Sequence, residues 1–199
     1  MPKGFTEQEK TQIREKMIQV GFQLFSTFGL KKTNVEDITR ACGISKGAFY
    51  LFYESKEHLF MDLLEISDHQ SKAQITEAFS DLEGFNKDEF KRVTIEMFAQ
   101  LKNDPILSLF KSDEYEYLIR KIDPAIVSEH VANDAAYFRT LHLALQEKGI
   151  FREVDPDTMT IFSTAMYLLS LHSELDHFMN YEKMLQVFVD MFADHILIQ

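Results

Sequence analysis

The sequence predicts an all-α fold, and three observations support this prediction. Only seven glycines and four prolines occur in 199 residues, so long stretches contain neither helix breaker. Apolar residues recur at steps of three and four, the period of a helix that buries one face. No segment alternates apolar and polar residues regularly enough to predict a β-strand.

The first helix is predicted over residues 6–28, where an apolar residue returns at every third or fourth position. Gly29 is a plausible stop, because glycine readily adopts the left-handed conformation that ends helices. A second, short helix is predicted to begin at Thr33 or Asn34, both of which have capping-box spacing to an acidic residue. It ends before Gly43.

Ser45 is positioned to cap a third helix that runs to about Tyr53, and Ser55 to cap a fourth. The second and third helices are short, and they are joined by a tight turn at Gly43 with Ile44 placed to fill the angle between them. This arrangement is typical of a helix-turn-helix motif, whose second helix enters the major groove of DNA. Short glycine-joined helix pairs also occur in proteins that do not touch DNA, so the motif alone leaves both interpretations open.

The third helix has two different faces. Phe49, with Phe52 or Tyr53 three or four residues later, is predicted to anchor the helix to the core of the head. The opposite face has small side chains at its start, and it carries one positive charge and one hydroxyl group. It is predicted to meet DNA and consists of Lys46, Gly47, Tyr50 and Leu51.

The rest of the chain is predicted to be a succession of helices. Pro105, Pro124 and Pro156 each fall where a proline in the first turn would mark a helix start. The predicted spans are 87–102, 105–121 (with a break near Ser112 left open), 124–148, 156–178 and 181–198.

Charge is distributed unevenly along the chain, whose formal net charge is −11. Residues 1–60 contain nine Lys and Arg against seven Asp and Glu, whereas residues 61–199 contain 12 against 25. The acidic excess therefore lies in the C-terminal part, and the mildly basic N-terminal part is compatible with phosphate contacts. The N-termini of the second and fourth helices are suited to phosphates, with Lys56 beside the latter.

The single cysteine, Cys42, excludes an internal disulfide and suits a reducing compartment. The first residues lack an apolar core with a cleavage site, and no apolar run reaches the length of a membrane span. We therefore expect a cytoplasmic protein.

Between about Ile13 and Leu63, many side chains occur at fixed spacings in one order. In this order they resemble the TetR family of bacterial transcriptional regulators, although Leu51 and Phe52 stand where that family often has polar side chains. The matching residues are Leu24-Phe25 with Gly29, Thr33-Asn34-Val35 with Asp37-Ile38, the run from Cys42 to Tyr50, and Ser55-Lys56-Glu57 with Leu59. A weaker likeness is carried by Gly149, Phe151, Arg152, Asp155 and Pro156.

The resemblance implies a DNA-binding head over residues 1–54, a connecting helix over 55–79, and a ligand-binding and dimerisation body over 55–199. The implied function is that of a ligand-responsive repressor, which binds a near-palindromic operator as a homodimer and is released by a small-molecule effector. It implies no cofactor and no metal. The predicted DNA-binding residues are Thr33, Asn34, Ser45, Lys46, Gly47, Ala48, Tyr50, Leu51 and Lys56.

The last two predicted helices are apolar on more than one face, so each needs two neighbours, one of them in a partner subunit. An ordinary monomeric core is the alternative. The predicted dimer interface comprises Ile161, Ala165, Leu168, Leu169, Met184, Phe188, Met191 and Phe192. The effector pocket that the resemblance implies among the middle helices is predicted at Phe98, Phe110, Tyr115, Tyr117, Tyr137, His142, Met166 and Tyr167.

An enzyme is the main alternative class of protein. His172 and Asp176 lie four residues apart and could bind a metal, but neither an H-E-x-x-H motif nor a cysteine pair accompanies them. No catalytic residue is predicted. An activator, or an adaptor that binds protein through its helix pair, is left open because the sequence does not separate either one from a repressor.

Overall fold

The computed structural model of the protein describes residues 5–80, 86–111, 114–155, 157–171 and 180–198. Helices make up its regular structure, which confirms the predicted all-α class, and none of the helices in these stretches is long and apolar enough to cross a membrane. In chain order the elements are α1 (Glu7–Lys32), α2 (Val35–Cys42), α3 (Lys46–Phe49), α4 (Lys56–Ala78), α5 (Lys87–Asn103), a 3-10 helix (Leu107–Lys111), α6 (Glu114–Ile119), α7 (Pro124–Glu147), α8 (Thr158–Leu171) and α9 (Tyr181–Ile196).

The chain forms two compact units. The N-terminal unit contains residues up to Ser67 together with Pro105–Pro124, and the C-terminal unit contains Asp68–Asp104 together with the residues from Ala125 onward. Helix α4 begins in the first unit and ends in the second. The segment 105–124, which the sequence analysis assigned to the body, therefore belongs to the N-terminal unit.

Helix α1 begins and ends through local hydrogen bonds. The Thr6 hydroxyl accepts from the backbone N–H of Glu9 at 3.2 Å, and the Glu9 carboxylate accepts from the Thr6 N–H at 2.8 Å, which is a capping box. Gly29 has φ 80° and interrupts the helix as predicted, but one further turn follows it to Lys32. This left-handed φ strains any residue with a side chain, so the position favours glycine, and an added Cβ would also lie 2.7 Å from Glu114 Oε1, which would have to move.

Two predicted helix boundaries differ from the structure. The predicted helix 105–121 is two elements, the 3-10 helix Leu107–Lys111 and α6, while Ser112 lies outside the described residues. Helix α8 begins at Thr158, after Pro156, which is likewise outside the described residues. Pro124 is the first residue of α7, and this confirms the predicted start.

A connected set of aromatic rings forms the core of the C-terminal unit. Phe162 stacks on Phe192 with ring centroids 3.6 Å apart, and Phe90 contacts both Phe192 and Phe151 at about 6 Å. Burying side chains of this size removes a large apolar area from water and dominates the stability of a small core. A backbone hydrogen bond joins the end of α9 to the segment that follows α7, because the Arg152 N–H donates to Ile196 O at 2.8 Å.

Candidate nucleic-acid interface

The turn between α2 and α3 is fixed by backbone geometry and one side chain. Gly43 has φ 72°, a left-handed conformation that lets its N–H bond Arg40 O while the Ile44 N–H bonds Thr39 O at 3.0 Å. Ser45 then caps α3, since its Oγ accepts from the Ala48 N–H at 3.1 Å. Two short helices thus meet at the tight turn that the sequence predicted.

Helix α3 buries one side and presents the other to solvent. Phe49 is fully buried, and Tyr53 is 6% exposed. Tyr50 and Leu51 follow Phe49 directly but are 49% and 74% exposed. Most of the Leu51 side chain is therefore accessible to another molecule.

Regular α-helix ends at Phe49 rather than at about Tyr53 as predicted. The N–H groups of Leu51 and Phe52 donate to carbonyls three residues back, at 3.2 and 3.0 Å. This tighter winding carries the chain from α3 towards α4. The exposed face is therefore one turn of α-helix followed by a tighter turn.

The exposed start of α3 is small and carries one charge. A Cβ added at Gly47 would meet only Ser45 Oγ, at 3.9 Å, so another molecule can approach this backbone closely. Lys46 Nζ lies 2.5 Å from Glu36 Oε1, on the first turn of α2. This contact raises the pKa of Lys46 and lowers the pKa of Glu36. Both groups are therefore charged at neutral pH.

Three predicted DNA contacts are corrected by the structure. Thr33 is buried, and its hydroxyl donates to Gly29 O at 2.8 Å, so it stabilises the end of α1. The Ala48 side chain is also buried, beneath the exposed face of α3. The third correction concerns Lys56. The predicted contacts that remain exposed are Asn34, Ser45, Lys46, Gly47, Tyr50 and Leu51.

Lys56 caps the C-terminal end of α1. Its Nζ donates to the carbonyls of Leu30, Lys31 and Thr33 at 2.6, 3.2 and 2.8 Å, which engages all three of its N–H groups. The ammonium also lies 5.2 Å from the centre of the Tyr117 ring. Burial lowers the pKa of Lys56. Lys56 could bind a phosphate only by giving up one of these carbonyl contacts.

Two polar networks in this unit were missed by the sequence analysis. Asp62 Oδ2 accepts from the Tyr53 hydroxyl and from Arg14 Nη2, both at 2.7 Å, and so joins α1, α4 and the segment after α3. Burial, followed by the hydrogen bond to Asp62, raises the pKa of Tyr53 to about 12. Glu114 of α6 accepts from the Lys31 N–H at 2.8 Å. The residues joined by these hydrogen bonds are 9 to 83 positions apart in sequence, and no local sequence pattern predicts pairs at such separations.

The predicted effector residues fall into three groups. Tyr115 and Tyr117 lie in the N-terminal unit, so the structure does not bring them together with the others, and nothing is described of the side chains of Phe110 and Tyr167. His142 is fully buried against Phe151, with ring centroids 5.6 Å apart, and among the described residues neither of its ring nitrogens has a hydrogen-bond partner. The other predicted residues of the C-terminal unit are Phe98 and Met166, which are buried, and Tyr137, which is half-buried.

Most of the predicted dimer residues leave apolar surface exposed on α8 and α9. Ile161 and Met191 are 66% and 63% exposed, and Leu168 and Phe188 are about half exposed. Phe192 is a correction, because it is buried against Phe162 in its own subunit. Of the remaining predicted residues, Ala165 is exposed, and Leu169 and Met184 are half-buried.

Metal ligation was considered at His172 and Asp176, which lie outside the described residues. Within the described residues, ligand atoms of Asp68, His130 and Asp134 lie within 4.8 Å of one another. Lys72 Nζ lies 2.5 Å from Asp68 and 2.7 Å from Asp134 and pairs with both carboxylates. We therefore assign these residues an ion-pair function.

Comparison with known proteins agrees with this geometry. Residues 17–63 match the family described as "Bacterial regulatory proteins, tetR family". The regulator YerO of Bacillus subtilis is 37% identical over 71 residues, which is 36% of this chain and 25% of YerO, so the chain spans about a quarter of the length of that relative. IcaR, a negative transcriptional regulator of the biofilm operon icaADBC in Staphylococcus epidermidis, is 25% identical over 70% of this chain and 83% of IcaR.

Solved structures extend the likeness to almost the whole fold. SmeT, the repressor of a Stenotrophomonas maltophilia multidrug efflux pump, matches 94% of this chain and 91% of its own with a TM-score of 0.66 at 16% identity. A complex of SmeT with triclosan matches with a TM-score of 0.62 at 15% identity. Together with the helix-turn-helix geometry described above, these comparisons show that residues 17–63 match the helix-turn-helix segment of the tetR family and that the chain shares its overall fold with SmeT.

Proposed function

We propose that the protein is a DNA-binding transcriptional repressor, which binds a near-palindromic operator as a homodimer and releases it when a small molecule binds. The observation that carries this proposal is the outward face of α3. Leu51 and Tyr50 are exposed directly beside a fully buried Phe49, which anchors the helix in its unit. The proposal assigns no catalytic step, cofactor or metal to the chain.

On this proposal, each exposed residue of α3 has a distinct contact. Lys46 neutralises a phosphate, and Gly47 allows the backbone to approach the duplex. Leu51 contacts the C5-methyl group of a thymine, which is the apolar feature of the major groove. The Tyr50 hydroxyl donates a hydrogen bond to a phosphate oxygen.

The exposed apolar residues of α8 and α9 support a dimer. Ile161 and Met191 are each about two-thirds exposed, and apolar surface of this kind on a helix pair favours association with a second copy. A twofold dimer would set its two α3 helices about 34 Å apart, one turn of DNA. An operator with two similar half-sites follows from this symmetry.

The effector is proposed to bind in the C-terminal unit, where aromatic side chains and the buried His142 lie. The fold likeness to SmeT in complex with triclosan is consistent with a small aromatic effector. A ligand changes DNA affinity only if it binds one conformation of the dimer more tightly than the other. Helix α4 belongs to both units and is the proposed lever.

Fluorescence anisotropy with duplexes from the DNA flanking the gene tests the proposal. We expect Lys46→Ala to weaken binding to all duplexes similarly and to reduce the salt slope by about one. Leu51→Ala should instead reduce the preference for the operator over random DNA. Phe22→Ala, at a similarly exposed apolar residue of α1, is the control. Absence of binding to any duplex at low salt, or unchanged binding by both α3 variants, would contradict the proposal.

A further inference from the structure

The proposed function places the Lys46 ammonium against a DNA phosphate. In the structure this ammonium is already in contact with the carboxylate of Glu36. Lys46 Nζ and Glu36 Oε1 are 2.5 Å apart, between the first turns of α3 and α2. The two side chains are 54% and 56% exposed, so the contact is open to solvent and to a docking molecule. The residues are ten positions apart in sequence, and their contact depends on the turn at Gly43.

A phosphate approaching Lys46 would meet a second anion at contact distance. The Glu36 carboxylate and a phosphate oxygen are both attracted to the Lys46 ammonium, and two anions this close repel each other. An ammonium has three N–H donors, so a phosphate can share Lys46 with Glu36, but the repulsion between the two anions weakens that contact until the carboxylate moves away. The hydrogen bond to Lys46, and to a smaller degree the charge of Arg40, lowers the pKa of Glu36, so the carboxylate is ionised at neutral pH and able to compete.

We propose that Glu36 is a built-in competitor of DNA phosphate for Lys46, and that it lowers the affinity of the protein for any duplex. This inference rests on the proposed function. Exposed ion pairs are weak because water and salt screen them. The competition is therefore partial, and removing it is expected to strengthen binding by about two- to fivefold, the range that a weak surface pair supports.

Competition can be separated from the general repulsion that any acidic residue exerts on DNA. General repulsion would act whether or not Lys46 is present, whereas competition requires Lys46. Asp37, the next residue of α2, provides a control of the same charge because its partners are Arg40, at 3.3 Å, and Asn34, whose Nδ2 donates to it at 3.2 Å. Asp37→Asn removes the same charge from the same turn and leaves the Lys46 contact intact.

The test is a double-mutant cycle with Glu36→Gln, Lys46→Met and the double variant, beside Asp37→Asn. Affinity for a duplex from the flanking DNA and for a random duplex is measured by anisotropy between about 50 and about 200 mM salt. Glu36→Gln should bind both duplexes about two- to fivefold more tightly at the lowest salt, with a slope that is steeper by less than the roughly 0.9 of one full phosphate contact, because Lys46 already neutralises part of a phosphate in the wild type. In the Lys46→Met background the gain should vanish. Thermal unfolding of each variant verifies that the fold is retained.

The outcomes separate the inference from the function on which it rests. If the wild type binds DNA and Glu36→Gln gains the same factor with or without Lys46, the effect is general repulsion and the inference is wrong. An unchanged affinity of Glu36→Gln in a protein that binds DNA also overturns it. If the wild type binds neither duplex at low salt, the proposed function fails and the inference fails with it.

Discussion

At the scale of single residues, hydrogen-bond partners decide what the two lysines of the helix-turn-helix region can do. Lys46 is exposed and has a single carboxylate partner on a neighbouring helix, so it can exchange that partner for a phosphate. Lys56 donates to three backbone carbonyls at the end of α1, where carbonyls lack helical partners. Similar side chains in one sequence motif therefore have different functions.

Replacement of Lys56 by Met tests its assigned function. We expect the free energy of unfolding to fall by about 2 kcal/mol, because hydrogen bonds to a charged group are replaced by unpaired carbonyls. Lys32→Met, at an exposed lysine at the same end of α1, should change it by less than about 0.5 kcal/mol. Urea denaturation measures both. If the Lys56 variant is as stable as the wild type but no longer binds DNA, Lys56 contacts a phosphate and its assigned capping function is wrong.

His142 is a second residue whose environment makes a prediction. Both of its ring nitrogens are buried without a hydrogen-bond partner in the part of the chain that the structure describes, and a buried polar group left unpaired costs roughly 1–3 kcal/mol. His142→Leu, with His142→Phe as a second variant, should therefore be at least as stable as the wild type at neutral pH. A large loss of stability in both variants would show that the imidazole is satisfied in solution.

The pH dependence of this effect has a definite sign. Burial lowers the pKa of His142 from its ordinary value of 6.5, although the charge of Asp155 acts in the opposite direction. The unfolded chain therefore binds the proton more readily, and the contribution of His142 to stability falls as the pH drops below about 6.5. The stability difference between His142→Leu and the wild type should widen in favour of the variant between about pH 6.5 and pH 5. Denaturation at several pH values measures it, and a constant difference would contradict the assignment.

At the scale of elements, local rules account for α2, the turn and the start of α3. Ser45 as a cap and Gly43 in a left-handed conformation are both dictated by the backbone next to them, so the sequence predicts them. The placement of the segment 105–124 with the head depends on Glu114 and Tyr117, whose partners are 83 and 60 residues away. Periodicity reports which face of a helix is buried but not which helix covers it.

The same limit explains the corrected contacts. Thr33 and Ala48 lie in the segment that resembles the family motif, but whether their side chains are exposed depends on how α1, α2 and α3 pack. For the same reason Phe192 is in the core, although its helix also carries exposed apolar residues. A periodic pattern identifies apolar positions, and only the packing decides which of them face a partner.

Gly29 of α1 and Gly47 of α3 give a paired prediction for these elements. Gly29→Ala should lower the free energy of unfolding by about 1–3 kcal/mol, because its φ is 80° and its Cβ would clash with Glu114. Gly47→Ala should be neutral or stabilising by up to about 1 kcal/mol, since it adds a methyl group to a helix in open space. Thermal or urea denaturation measures both, and equal effects would contradict the assigned geometry.

At the scale of the whole molecule, the account requires two copies of the chain. The exposed apolar residues of α8 and α9 are the surface proposed to join them. Met191→Glu should dissociate the dimer, because it places a charge where apolar contact is proposed. Val131→Glu, at a 57% exposed residue of α7, is the matched control and should leave the dimer intact. Light scattering after size-exclusion chromatography gives the mass, and a monomeric wild type or a dimeric Met191 variant would overturn the proposed interface.

The central claim is that the exposed face of α3 contacts DNA in each of two subunits related by twofold symmetry. Hydroxyl-radical footprinting on the DNA that flanks the gene tests this claim most directly. We predict two protected patches whose centres are about 10 base pairs apart, or a multiple of this spacing, since each α3 occupies one half-site of a symmetric operator. Leu51→Glu should remove both patches and leave the fold intact, because it places a negative charge against the duplex. A single patch, no protection, or a footprint that survives in the Leu51 variant would contradict the account.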